Sequence, residues 1–191
     1  MSSAAWVEVR HAFAGTLRLA RGDRGGLACF DRTLDGFWRS FRAAVICYPL
    51  YLVLLALRVS GAELEAAGPF RIVLIETIAY VIAWAAFPLV MLPVSAWLER
   101  EDHFFDFMVA YNWCQLPQSA LFVAIGLFAE TRVAPGYVAD AVTLLATVAV
   151  LVYEWYIARV ALQTTVAAAI VVVLLDLVLG VLVSRAAVGI Y

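Results

Sequence analysis

The sequence predicts an all-α fold: a polytopic membrane helical bundle of about five transmembrane helices, with an N-terminal amphipathic interfacial helix in front of it. Three observations carry this expectation. Of the 191 residues, 65% are hydrophobic and 15% are charged, against roughly 45–50% apolar and about 25% charged in soluble domains. Mean hydropathy is +0.94. Apolar segments of the roughly 20 residues needed to cross a bilayer recur along the chain, leaving no length for a separate soluble catalytic domain. Disorder, a coiled coil and a nucleic-acid-binding domain lose their compositional support, so the lipid bilayer is the first expected partner and no nucleic acid is expected.

All 13 basic residues are Arg, and Asn occurs once. With the abundance of Ala, this points to a GC-rich coding sequence and to a bacterial inner (cell) membrane as the location. Cys29, Cys47 and Cys114 lie far apart and form neither a disulfide framework nor a CxxC site; Cys47 and Cys114 read as small hydrophobes.

Residues 1–36 read as a cytoplasmic amphipathic segment and 37–191 as the transmembrane domain. Glu8, Arg10, Arg18, Arg21, Asp23 and Arg24 interrupt any signal-peptide core. Trp6, Val9, Phe13, Leu17 and Ala20 recur at helical spacing and form one apolar stripe, which would serve a headgroup plane or the ends of the spanning helices alike. Arg10, Arg18, Arg21 and Arg24 are the candidates for contact with anionic headgroups. Gly22, Gly25 and Gly26 end this helix. A second amphipathic stretch, with Phe30, Leu34, Phe37, Trp38 and Phe41 on one side, leads into the first span.

The spans are expected at 41–57, 72–92, 107–128, 137–158 and 165–183. Pro88 and Pro93 should bend the inner end of the second. The third carries Asn112, Gln115, Gln118 and Ser119 around Pro117, which opens the alternative of a broken helix or a re-entrant loop; five spans are expected. Seven arginines precede Ala43, which places the N-terminus in the cytoplasm and, with five spans, the C-terminus in the periplasm. Glu99 to Asp106 then forms an acidic cytoplasmic hairpin.

Polar groups inside apolar segments are costly, about 2.5–3.5 kcal/mol for a charge at the bilayer centre. Asp176 lies near the middle of the last segment and is the most costly of them. Glu154 and Arg159 are spaced five apart, poorly for a pair within one helix, so a partner for either is expected on another helix. Glu76 and Asp140 lie near the outer ends of their segments, where reaching the interface is cheaper. Asn112, Gln115 and Ser119 share a helix face, with Gln118 beside it. Asp176, Glu154 and this face could line a proton, ion or polar-solute pathway, or could hydrogen-bond across helices and fix their packing for ~0.6 kcal/mol each. Catalysis finds no support: His11 and His103 are the only histidines, and no HExxH, GxSxG, phosphate loop or Cys/His cluster is present. No catalytic residue, metal or cofactor is expected.

The layout resembles bacterial members of the Yip1-domain superfamily of small integral membrane proteins, over about residues 37–188. The residues that carry the resemblance are Cys47-Tyr48-Pro49-Leu50-Tyr51, Ala86-Phe87-Pro88-Leu89 and Tyr111-Asn112-Trp113-Cys114-Gln115-Leu116-Pro117, together with the amphipathic N-terminus. Eukaryotic relatives act in membrane traffic and bind small GTPases. The resemblance implies a non-enzymatic protein acting through helix packing and partner or lipid contact, as a homo-oligomer or with another membrane protein. A small transporter or channel subunit with a polar pathway near Asp176, Glu154 and Asn112 is the alternative.

Overall fold

Helices account for nearly all of the computed structural model, which describes residues 3–191; no strand occurs among them. In chain order they are α1 (Ser3–Ala20), α2 (Leu34–Ser40), α3 (Arg42–Arg58), α4 (Gly61–Ala67), α5 (Pro69–Trp97), α6 (Phe104–Glu130), α7 (Gly136–Ala161) and α8 (Val166–Val188), with short 3-10 turns at Arg24–Cys29 and Glu101–His103. Among the described residues, four helices are long and apolar enough to cross a membrane: the near-continuous stretch Leu34–Arg58 formed by α2 and α3, then α5, α7 and α8. Large apolar side chains such as Val45, Val81, Leu89, Leu145, Val178 and Leu182 face outward from them, the pattern of a bundle whose solvent is hydrocarbon. The chain is a helical membrane protein.

The remaining long helix, α6, occupies the centre. It packs against α1, α2, α3, α5 and α7 and buries Phe107, Met108, Val109, Ala110, Trp113 and Cys114 almost completely. A helix covered by protein on most sides need not be apolar all round, which explains how α6 tolerates Asn112, Gln115 and Gln118. It is not broken. Its 27 residues run through Pro117 without interruption, spanning about 40 Å at 1.5 Å per residue. Helix α5 likewise continues through Pro88 and Pro93.

Helix α1 turns a face of small residues to the bundle. Ala12, Gly15, Thr16 and Leu19 are buried, at the i, i+3, i+4, i+7 spacing of one helical face. The larger stripe is left outside: Trp6, Phe13 and Leu17 are exposed. Small residues win the inward face because the chain folds back tightly after α1. A Cβ on Gly26 would lie 2.6 Å from the Gly15 carbonyl oxygen, and one on Gly15 would lie 2.8 Å from Cys29 Cβ. Both positions therefore exclude any side chain, so Gly26 is a packing residue as well as a turn residue. Tyr153 donates to the Thr16 carbonyl at 2.8 Å and Tyr156 to that of Gly22 at 2.5 Å, fixing α1 to α7.

Ion pairs complete this docking. Glu8 accepts from Arg39 at 3.2 Å and Arg42 at 2.5 Å, and Arg32 reaches Asp106 at 3.2 Å, so the acidic hairpin is partly neutralised from within the chain. Asp23 accepts from Arg18 at 2.7 Å and from the Gly25 amide at 2.8 Å. Asp31 accepts from the Thr33 hydroxyl at 2.7 Å and pairs with Arg39. The Arg18 hydrogen bond holds the Asp23 carboxyl below its ordinary range, and the Thr33 hydroxyl, then Arg39, do the same for Asp31. Depressed carboxylates stabilise the fold above their unfolded values, and that contribution is lost as pH falls through the folded ones. Hydrogen exchange in residues 20–33 should therefore accelerate as pH drops below about 4 after correction for intrinsic rates; unchanged protection down to pH ~2.5 would contradict this.

At the other end of the bundle, Ser60 and Glu63 form a reciprocal capping box that starts α4. Back at the α1 end, Thr165 caps α8 through the Ala168 amide at 3.2 Å. Arg159 donates to the Thr164 carbonyl in the α7–α8 turn and so has no part in pairing with Glu154.

Candidate functional site

The polar centre forms where α6, α7 and α8 face one another. Tyr111, Gln115 and Gln118 follow each other at four- and three-residue spacing along α6 and therefore point the same way. Tyr111 donates to Asp176 Oδ1 at 2.7 Å, the one polar bridge from α6 to the middle of α8 among the described residues. Asp176 is half-buried, because cavities reach it from two directions.

The smaller cavity, about 180 Å³, lies between α3, α5, α6 and α8 and is lined by Cys47, Tyr51, Tyr80, Trp84, Asn112 and Ser119 among others. The larger, about 630 Å³, lies between α6, α7 and α8 and runs from Glu154 past Gln118 and Thr147 to Ser184 and Arg185. Tyr111, Gln115, Asp176 and Gly180 line both. Towards the α1 end, Phe87, Phe107, Val172 and Val173 close round Tyr111, Glu154 and Asp176 and leave no volume for water. Each cavity thus ends on the same Tyr111–Asp176 hydrogen bond.

Glu154 is 8% exposed and makes no hydrogen bond among the described residues. Gln118 is 6% exposed, and its Nε2 is the one buried side-chain nitrogen or oxygen without a partner among those residues. Unpaired buried donors are rare and costly, about 1–3 kcal/mol each.

Asn112 belongs to the packing instead. It is 1% exposed and donates to Ser40 Oγ at 2.8 Å, tying α6 to α2. Of the residues singled out in the sequence, Asp176, Glu154, Gln115 and Gln118 come together on the larger cavity, whereas Ser119 and Asn112 line only the smaller one.

Glu76 departs from expectation. It does not reach an interface: it is 1% exposed and accepts from Arg58 at 2.5 Å, Tyr51 at 2.5 Å and Tyr191 at 2.7 Å. Arg58 also reaches Ser184 at 3.3 Å, linking this cluster to α8 beside the larger cavity. Asp140, by contrast, is exposed. Arg10, Arg21 and Arg24 are exposed round α1 and its turn, while Arg18 is engaged by Asp23.

Sequence reasoning missed Tyr111, Tyr51, Arg58, Tyr191 and Arg185. A usable signal existed for Arg58: it falls near the end of α3 and Glu76 early in α5, the two arms of one antiparallel hairpin, where opposite charges meet. No metal-binding cluster of His, Cys, Asp and Glu occurs among the described residues.

No protein-family model, curated protein or solved structure matches this chain.

Proposed function

We propose that this protein is a small membrane transporter or channel subunit whose polar pathway converges on Asp176 and Glu154, with α6 as the fifth span. The observation that carries this reading is the pair of cavities ending on opposite sides of one hydrogen bond, Tyr111 to Asp176. A purely structural hydrogen bond in a membrane bundle is ordinarily closed in by apolar packing, and it needs no cavity on either side. Intramembrane carboxyls facing a cleft are the usual mark of a substrate or ion route. The distribution of arginines supports a cytoplasmic N-terminus, a periplasmic C-terminus and a bacterial inner-membrane location.

The test is solute and proton flux in proteoliposomes. Asp176→Asn keeps the volume and a hydrogen-bond acceptor for Tyr111 but removes the acid, and is expected to lower flux at least tenfold. Equal flux through both proteins, or none through the native one, would refute the pathway.

A second reading rests on a separate observation. The exposed stripe of Trp6, Phe13 and Leu17 beside exposed Arg10 and Arg21 supports contact between α1 and an anionic leaflet. With it goes the Yip1-like role, non-enzymatic and exercised through partner or lipid contact. Removing residues 1–26 should then weaken retention of partners or anionic lipid without stopping insertion; an unaltered co-purification profile would count against it.

A further inference from the structure

The smaller cavity is walled largely by aromatic rings. Tyr51 of α3, Tyr80 and Trp84 of α5 and Tyr111 of α6 all line it, and each is only partly buried and keeps accessible surface. Tyr80, Trp84 and Phe87 follow one another at four- and three-residue spacing, which sets them on one face of α5. The rings brace one another. Centroids lie 4.8 Å apart for Tyr51 and Tyr80 and 6.0 Å apart for Tyr80 and Trp84, while Phe87 packs on Tyr111 at 4.4 Å. The three tyrosine hydroxyls are engaged: Tyr51 donates to Glu76 at 2.5 Å, Tyr80 to the Ala44 carbonyl at 2.7 Å and Tyr111 to Asp176 at 2.7 Å. The phenols are thereby held in place, and they offer the cavity ring surface rather than a free hydroxyl. Asp176 is the only charged side chain among the lining residues. Tyr111 takes its Oδ1, and Oδ2 has no partner among the described residues yet keeps accessible surface.

Aromatic faces carry the negative part of the ring quadrupole and attract a cation placed over them, more strongly where water is scarce. One carboxylate without a base calls for a single positive charge. A hard inorganic ion needs a shell of oxygens, and the three phenol hydroxyls that could help to build one are engaged elsewhere. A primary ammonium needs acceptors for its three N–H groups, which ring surface does not supply. A fully methylated ammonium needs neither, because its charge is spread over an apolar surface that rings can touch. The volume of about 180 Å³ lies below the roughly 300–1,000 Å³ of drug-sized sites, which restricts the occupant to a compact group. We propose that the cavity between α3, α5, α6 and α8 is a binding site for a small quaternary ammonium cation, held by the rings of Tyr51, Tyr80, Trp84 and Tyr111 with Asp176 as its counter-ion. This inference rests on the pathway reading above and names the class of cation that enters it.

Three matched probes test it: choline; neohexanol, in which carbon replaces the ammonium nitrogen and removes the charge; and ethanolamine, which keeps the charge and lacks the methyl groups. Each is titrated by calorimetry into the full chain in maltoside micelles, which bring no quaternary ammonium of their own, with sodium chloride present throughout. The native protein should bind choline at least about tenfold more tightly than either of the others, as expected for a desolvated cation against aromatic rings. Trp84→Leu should weaken choline about five- to tenfold and neohexanol far less, so that the neohexanol isotherm also reports a folded variant. Trp84→Phe, which keeps a ring, should retain most of the choline affinity. Ethanolamine or neohexanol binding as tightly as choline, no binding of choline, or equal choline affinity in Trp84→Leu and Trp84→Phe overturns the proposal. If Trp84→Leu fails to fold, the ranking of the three probes on the native protein decides alone. Flux lost in Asp176→Asn without any preference for choline would overturn this inference and leave the pathway standing; a choline site without flux would do the reverse.

Discussion

Exchanging Arg58 for Met is expected to lower the unfolding free energy of the reconstituted protein by about 2–3 kcal/mol. The cause is the partner left behind. Glu76 is fully buried between α3, α5 and Tyr191, and Arg58 is the only cation paired with it among the described residues. Removing one member of a buried pair costs about 3–5 kcal/mol when both are enclosed. The Arg58 side chain is 49% exposed, which discounts the figure, because water already screens part of the interaction. The Tyr51 and Tyr191 hydroxyls soften the loss further by continuing to donate. Adding Glu76→Gln to the Arg58→Met protein should recover most of the stability, since a neutral amide oxygen can still accept from both tyrosines. Denaturant unfolding in mixed micelles reads the three variants, and losses that simply add would contradict the account.

Removing a single oxygen from α6 should have the next largest effect. Tyr111→Phe keeps the ring packed against Phe87, whose centroid lies 4.4 Å away, and against Phe107 at 5.7 Å. What disappears is the donor to Asp176. A buried group deprived of its partner costs about 1–3 kcal/mol. The cavities give the released carboxyl room to rotate, so labelling by a hydrophobic carbodiimide should rise at Asp176 as stability falls. Stability reduced without added labelling would mean that Asp176 finds another donor, and unchanged values for both would remove Tyr111 from the site.

Much of the bundle was legible because lipid imposes a simple rule on helix length and composition. The expected segments at 72–92 and 137–158 fall inside α5 and α7 as observed, and the stretch that enters at Phe41 becomes α3. The third segment was ambiguous for a physical reason: hydropathy measures suitability for hydrocarbon, and α6 meets mostly protein. Asp176, Glu154 and Gln118 were legible as costly polar groups, yet Tyr111 was not, because a tyrosine in an apolar segment has no charge to draw attention. The inward face of α1 was not legible, because the face that packs is made of small residues. Periodicity picks out large apolar side chains, whereas the Gly15 to Gly26 contact rewards the absence of a side chain. Glu76 was judged by its distance along the helix from an interface, a measure that ignores a cation arriving from the neighbouring arm of the hairpin.

The position of α6 bears on how the chain is made. A helix with Asn112, Gln115 and Gln118 in its middle partitions into lipid less readily than α5 before it or α8 after it. During synthesis it emerges after α3 and α5 but before α7 and α8, so one of its main packing partners and the helix that carries Asp176 are still missing at that point. Its insertion should therefore lag, with α6 held at the translocation machinery until α7 and α8 arrive and the three enter as a group. In nascent chains truncated shortly after Glu130, Cys114 of α6 should consequently stay open to a water-soluble maleimide, whereas chains extended past Val188 should protect it.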